Sequence, residues 1–171
     1  MKRFLTLLSI LFVALFVSCS DNTKEEIARL ESQMLDSNGM LRTDVGMELI
    51  DAYMLYANKN AKSEEAPHIL FKALDLSMNL RTNDYSKSIE IADLIITKYP
   101  DFEMAPMALY LKAFVYEDLM HDYSNAEKTY REFIEKYPNN PMLEEVKASL
   151  KNIGIPPQDL VRMFENAEEN R

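Results

Sequence analysis

Two histidines and 28 carboxylates are the side chains of this 171-residue sequence with catalytic potential. A catalytic zinc site generally takes three protein ligands, whereas His68 and His121 lie in different predicted helices and no His-Glu-x-x-His spacing occurs. Three scattered glycines cannot build a nucleophile elbow, a P-loop or a dinucleotide-binding loop. Neighbouring acidic pairs are expected by chance among so many carboxylates, and adjacent helix positions face apart. The residue types therefore predict a protein without catalysis, cofactor or bound metal.

Cys19 is the only cysteine, and it follows a segment typical of an export signal. Two basic residues precede an apolar run of 14 residues, 4–17, which is shorter than the roughly 20 residues needed to span a bilayer. Residues 15–19, Leu-Phe-Val-Ser-Cys, resemble a bacterial lipobox, in which a small residue precedes the cysteine that is lipidated and becomes the new N-terminus. The resemblance implies a signal peptide at 1–18 and acyl chains on Cys19. An uncleaved anchor and a coincidental cysteine in an ordinary signal are the alternatives.

Loss of the signal removes Lys2 and Arg3 and changes the formal net charge from −9 to −11. Such an acidic chain is a poor partner for nucleic acid, whose affinity depends on Lys and Arg, and an anionic membrane surface would repel it. An acylated cysteine cannot form a disulfide, so packing has to supply the stability. Residues 20–26 predict a short polar tether, or alternatively resemble the acidic export tag that sends some lipoproteins to the cell surface.

The remaining sequence predicts paired helices. Apolar residues make up 47% of the chain, and the seven prolines fall at breaks in the apolar periodicity instead of inside it. The pattern predicts eight helices, at 23–37, 44–58, 65–81, 85–99, 105–121, 124–137, 141–152 and 157–166.

Four local signals predict where these helices begin and end. Thr23 and Glu26 have the spacing of a capping box, which predicts a helix start. The dipeptide Asn-Gly at 38–39 and Gly154 predict helix stops, whereas Asn-Pro at 140–141 predicts an N-cap followed by the first helical residue.

An internal repeat covers the middle of the chain. A shift of 38 residues aligns Asp-Tyr-Ser at 84–86 with the same sequence at 122–124, and Lys-Tyr-Pro at 98–100 with 136–138. Apolar residues between these points recur at helical spacing and predict a buried stripe on each second helix. The first helices of the two units align at an offset of 40, and a small loop insertion would explain the difference. Repeats of this length with two helices each are typical of stacked helical arrays.

The second unit resembles a known repeat family, the tetratricopeptide repeat. The family pattern of a small residue, Tyr, Asp-Tyr-x-x-Ala, an aromatic residue and Pro falls at Ala113, Tyr116, Asp122, Tyr123, Ala126, Tyr130 and Pro138, with one extra residue before His121. In the first unit Ser88 replaces the expected alanine and Ala92 the aromatic residue. The C-terminal part is similar to tetratricopeptide lipoproteins of bacterial envelopes, such as those of the β-barrel assembly machine and the Tol/Pal system.

This resemblance implies an all-α fold of antiparallel helix pairs, stacked as a short right-handed tetratricopeptide-like solenoid. The predicted organisation is a signal peptide at 1–18, a lipid-anchored tether and N-terminal helix at 19–43, a repeat domain at 44–166 and a C-terminal tail at 167–171. The resemblance also implies a scaffold on the periplasmic face of the outer membrane that binds segments of other envelope proteins in a groove. The sequence leaves open whether the N-terminal helix packs on the repeats or swings between lipid and scaffold.

The groove is predicted on the first helix of the second unit. If Ala113 is the small packing residue, Tyr110, Phe114 and Glu117 face the groove and provide two aromatic anchors and one acceptor. The alternative is that all three are ordinary core residues. For the function, the alternative is an exported solute- or glycan-binding lipoprotein, against which the absence of tryptophan argues, and an enzyme is the third class.

Overall fold

The computed structural model describes residues 22–80 and 82–169, and within these ranges the chain forms eight helices. They are α1 (Asn22–Gln33), α2 (Thr43–Lys59), α3 (Glu65–Asn79), α4 (Ser86–Lys98), α5 (Ala105–Phe114), α6 (Tyr123–Lys136), α7 (Leu143–Asn152) and α8 (Pro157–Glu169). Helix α5 continues directly into a π-helical segment, Val115–Leu119, which we call the π segment. One isolated bridge, between Leu35 and Leu41, is the only extended pairing in the described part of the chain. The all-α prediction with eight helices is confirmed.

Consecutive helices from α1 to α7 pack on one another, and side chains also connect alternate helices. Lys24 Nζ of α1 lies 2.9 Å from Glu65 Oε2 of α3, and Phe102, just before α5, contacts α3 edge to face. Tyr110 Oη of α5 donates to Glu145 Oε1 of α7. Helices α1, α3, α5 and α7 therefore lie side by side, and we call them the first-helix layer. The second helices α2, α4 and α6 alternate with them along the chain, and each packs against the first helix before it and the first helix after it. This is the arrangement of a tetratricopeptide-like solenoid.

The second helices bury the apolar stripes that the repeat predicts. Burial of several large side chains on one face is what holds an amphipathic helix in a solenoid, because an isolated helix of this length is marginal in water. Each of these residues is at most 1% exposed: Ile91, Ala92 and Ile95 on α4, and Ala126, Tyr130 and Phe133 on α6.

Helix α1 is part of the solenoid. Its apolar residues Ile27 and Leu30 are buried, and Glu31 Oε1 accepts a hydrogen bond of 2.6 Å from Tyr53 Oη of α2. The sequence allowed either a docked or a swinging helix, and the structure shows that it is docked.

Three predicted helix boundaries were wrong. Thr23, the predicted N-cap, lies inside α1 and does not cap it. Its hydroxyl instead accepts a hydrogen bond of 3.1 Å from Lys59 Nζ. Gly39, with φ +76°, forms a turn in the connection between α1 and α2, well beyond the end of α1. Asn140 precedes α7 by three residues, and its side chain accepts a backbone hydrogen bond in the turn before that helix. Gly154, with φ +72°, follows α7 as predicted.

The extra residue of the second unit lies in the π segment. The Met120 N–H donates to the Val115 carbonyl at 2.9 Å, an i→i+5 bond that widens the helix by one residue. The chain then turns at His121, whose φ is +55°, and α6 begins two residues later at Tyr123. In the described residues of the first unit, α3 ends at Asn79 without such a segment and α4 begins at Ser86.

Candidate functional site

The three predicted groove residues lie in α5 and the π segment, and all of them are half-buried. Ala113 is fully buried, as the proposed register requires. Tyr110 and Glu117 make hydrogen bonds to neighbouring helices, whereas Phe114 lies on the solvent-facing side of α5. The three residues therefore occupy one helix but have different surroundings.

Tyr110 connects α5 to its neighbours α6 and α7. Its hydroxyl donates to Glu145 Oε1 at 3.3 Å, and its ring centroid lies 6.0 Å from that of Tyr130. Burial raises the pKa of the Tyr110 phenol above its ordinary value. The ring of Tyr110 also packs partly against the core.

Glu117 holds the junction of the π segment, α6 and the turn after α7. Its Oε2 accepts a 2.8 Å hydrogen bond from Tyr130 Oη, and its Oε1 accepts a 3.4 Å bond from the Gly154 N–H. Burial first, and the bond to Glu117 second, raise the pKa of Tyr130 above its ordinary value. The carboxylate therefore has a structural role at this junction, and its role as an acceptor for a partner stays a prediction.

The side of helix α5 that lies opposite the core is apolar and half-buried. Met107, Leu111 and Phe114 recur at i, i+4 and i+7, which places them on one side of the helix, and each is half-buried. The opposite side, which includes Ala105 and Leu109, is fully buried. We call Met107, Leu111 and Phe114 the α5 stripe. Sequence reasoning identified only Phe114 of these three, because a helix that is apolar almost all round does not reveal which side its neighbours cover.

The equivalent face of α3 is polar. Ala-Pro occurs at 66–67 in α3 and at 105–106 in α5, and at this offset of 39 the buried residues Ala66, Leu70 and Leu74 correspond to the buried residues Ala105, Leu109 and Ala113. At this offset the positions of the α5 stripe correspond to His68, Lys72 and Asp75, all of which are exposed. The first residues of the two helices, Glu65 and Ala105, are 40 positions apart, which is the predicted offset, whereas their buried positions correspond at 39. The α5 stripe is a local feature of one repeat and not a property of every unit.

Acidic side chains surround the α5 stripe. Glu103 precedes it by about one helical turn, Asp118 follows it by about one turn, and both are exposed. Glu145 of α7 borders it beside the tyrosine hydroxyl described above. The lysine of α5, Lys112, is turned toward α4, where its Nζ lies 2.7 Å from Asp93 Oδ1.

A depression of about 190 Å³ lies between α1 and α3 and carries paired charges. Lys24 pairs with Glu65 at 2.9 Å, and Lys72 lies 3.8 Å from Glu31. Hydrogen bonds from Tyr56 and Lys24 lower the pKa of Glu65, and the bond to Glu65 raises the pKa of Lys24 to about 12. Because these charges are satisfied within the protein, this depression has less to offer a partner than the α5 stripe.

Residues 22–80 and 82–169 carry no arrangement for metal binding or for spanning a membrane. No group of three His, Cys, Asp or Glu side chains there is placed to hold a metal ion. His68 packs edge-on against Phe102 at 4.8 Å, and His121 lies in the turn after the π segment. Nor is any helix of that part both long and apolar enough to cross a membrane. Cys19 and the apolar run 4–17 lie outside the described residues.

Comparison with known proteins identifies one repeat. Residues 107–140 match the family described as Tetratricopeptide repeat. The matched range begins in the first turn of α5 and extends through the π segment and α6 to the turn before α7, so it covers one helix pair. No curated protein and no solved structure matches the chain. The chain contains a tetratricopeptide repeat, the kind of helix pair that generally serves protein binding.

Proposed function

We propose that this protein is a lipid-anchored envelope scaffold, which binds segments of other envelope proteins on its first-helix layer and catalyses no reaction. The tetratricopeptide repeat at 107–140 supports a role in protein binding. The α5 stripe carries the proposal, because a partly exposed apolar side of a helix is a feature of interaction surfaces. The resemblance to envelope lipoproteins suggests outer-membrane assembly or maintenance as the setting.

The proposed anchor is Cys19, on the periplasmic face of the outer membrane. Helix α1 begins at Asn22, three residues after the cysteine, and three residues span at most about 10 Å. Because α1 is packed on α2, a lipid on Cys19 would hold the whole solenoid close to the membrane and not at the end of a lever. More than one acyl chain is needed for stable attachment, as the lipobox resemblance implies.

Metabolic labelling with a clickable fatty acid tests the anchor. We expect label on the wild-type protein, no label on Cys19→Ser, and co-fractionation of the labelled protein with outer membranes. Unlabelled wild-type protein, or label that survives in Cys19→Ser, would remove the anchor from the proposal.

Photo-crosslinking in intact cells tests the binding surface. A photo-reactive phenylalanine analogue at position 114 reports on the α5 stripe, and the same analogue at position 132, an exposed position of α6, is the matched control. We expect crosslinks to other envelope proteins from position 114 and few from position 132. Crosslinks confined to α6 would refute the assignment of binding to the first-helix layer.

A further inference from the structure

We infer that the α5 stripe binds an amphipathic helical segment of a partner protein, with apolar side chains on one face and Lys or Arg at both ends. This inference rests on the proposed function, because it names the partner chemistry of the same surface. Three observations lead to it: the length of the stripe, its difference from α3, and the charges around it.

The length of the α5 stripe suits a helical partner. Met107 and Phe114 are seven residues apart, so their Cα atoms are separated by about 10 Å along the helix axis. A partner helix with apolar side chains at i, i+4 and i+7 presents anchors over the same distance, which is the helix-in-groove mode of recognition. Tyr110, half-buried beside the stripe, adds an aromatic ring with a hydroxyl that is already oriented by Glu145.

The exposed side of α3 is polar whereas the corresponding side of α5 is apolar, which places the proposed apolar contact with a partner on α5. A solenoid needs the buried faces of its first helices for stacking, but it does not need an apolar solvent-facing side. Helix α3 meets the structural requirement with His68, Lys72 and Asp75 on that side. On the corresponding side of α5, Leu111 packs partly against the core, so Met107 and Phe114 carry most of the difference from α3.

The charges select a basic partner. Exposed Glu103 and Asp118 lie beyond the two ends of the α5 stripe, and exposed Glu145 borders its side. Lys112 does not compensate them, because it is paired with Asp93 on the side of α4. Complementary charges at the rim of an apolar contact accelerate association and disfavour like-charged partners. The same acidic rim disfavours an anionic membrane surface as the occupant.

A charge-neutral variant isolates the apolar contribution. The triple substitution Met107→His, Leu111→Lys and Phe114→Asp gives α5 the solvent-facing residues of α3 and leaves the formal net charge unchanged. Half-buried residues are replaced, so thermal unfolding of the variant is measured first. The pair Glu103→Gln and Asp118→Asn changes only exposed residues and provides an independent test that does not depend on the folding of the triple variant.

Fluorescence anisotropy with two synthetic peptides measures the binding. The lipidated full chain is held in nanodiscs of zwitterionic phosphatidylcholine, with empty nanodiscs as the reference. Each helical peptide has about 18 residues with leucines at i, i+4 and i+7, enough for five turns. One peptide carries lysines at both ends and the other carries glutamates.

We expect the lysine peptide to bind at least about tenfold more tightly than the glutamate peptide, and to lose about tenfold or more with the triple variant. Glu103→Gln with Asp118→Asn should weaken binding of the lysine peptide several-fold and reduce its salt dependence. The matched pair Glu132→Gln and Glu135→Gln, which removes the same charge from exposed positions of α6, should leave binding unchanged. Equal affinity of wild type and both α5 variants, or equal binding of the two peptides, overturns the inference.

Mass spectrometry of the cellular crosslinks separates this inference from the proposed function. Crosslinks from position 114 to segments rich in Lys or Arg and in apolar residues support both the proposed scaffold function and the basic helical partner. Crosslinks from position 114 to acidic or uncharged segments refute the partner chemistry but leave the scaffold intact. Crosslinks absent from position 114 and present on α6 refute the scaffold surface itself.

Discussion

Tyr130→Phe tests whether the hydrogen bond between Tyr130 and Glu117 holds the π segment against α6. The substitution removes one hydroxyl and keeps the ring, which is 1% exposed. A hydrogen bond to a charged group contributes about 1.5–3 kcal/mol. Glu117 is half-buried and can regain water when the hydroxyl is lost, so we expect the lower end of that range, about 1.5 kcal/mol. Tyr130→Ala also removes the ring and should cost about 3–5 kcal/mol.

Urea unfolding followed by circular dichroism provides the free energies of unfolding. A double-mutant cycle with Glu117→Ala separates the pairwise bond from other effects of each substitution, and we expect a coupling of about 1 kcal/mol. The reasoning fails if the free energy of unfolding of Tyr130→Phe is within about 0.5 kcal/mol of the wild-type value. It also fails if the substitution lowers this free energy as much in the Glu117→Ala background as in the wild type.

The pH dependence of the same variant is a second measurement. Burial and Glu117 raise the pKa of Tyr130 in the folded state, so above the ordinary tyrosine pKa of about 10 the folded protein holds a proton that the unfolded chain has lost. This contribution to stability is fully present below about pH 10 and decreases as the pH rises further. Wild type should therefore lose stability above about pH 10 more steeply than Tyr130→Phe. Equal slopes for the two proteins would contradict the assignment.

Two further substitutions test the packing. Gly46→Ala in α2 gains about 1 kcal/mol of helix propensity, but its Cβ would lie 2.6 Å from Cδ2 of buried Leu80, so we expect a net loss of about 1 kcal/mol in unfolding free energy. A more stable variant would show that Leu80 can move aside. Lys112→Met keeps the packed stem and removes the ion pair with half-exposed Asp93, so it should cost less than about 1 kcal/mol in the same assay. A loss of several kcal/mol would show that this ion pair, and not packing, holds α5 to α4.

The helical elements could be predicted well because their signals are local. A side chain repeats its direction every 3.6 residues in a helix, so the apolar spacing on α4 and α6 predicted the faces that are buried. Asp122 has the same local character: it caps α6 through a hydrogen bond from the Asn125 N–H, and the turn it begins recurs 38 residues earlier at Asp84. The prolines and Gly154 likewise indicated where helices begin or end, because their effect on the backbone is local.

The π segment could not be predicted, because an extra residue has the same sequence signature in a helix as in a loop. Only the backbone hydrogen bond from Met120 to Val115 shows where it lies. Its position matters for the candidate site, since it directs Glu117 toward Tyr130 and separates it from Phe114 on the solvent side. The three predicted groove residues could be assigned to one helix from the sequence, but not to their separate environments.

The sequence by itself determined that the chain is a stack of helix pairs with one recognisable tetratricopeptide repeat, because periodicity and turn residues act over a few positions along the chain. The tertiary structure decided that α1 is docked through Ile27 and Leu30, and that the exposed side of α3 is polar whereas the corresponding side of α5 is apolar and half-buried. These outcomes depend on which neighbour covers each face, and coverage is set by contacts between residues far apart in the sequence.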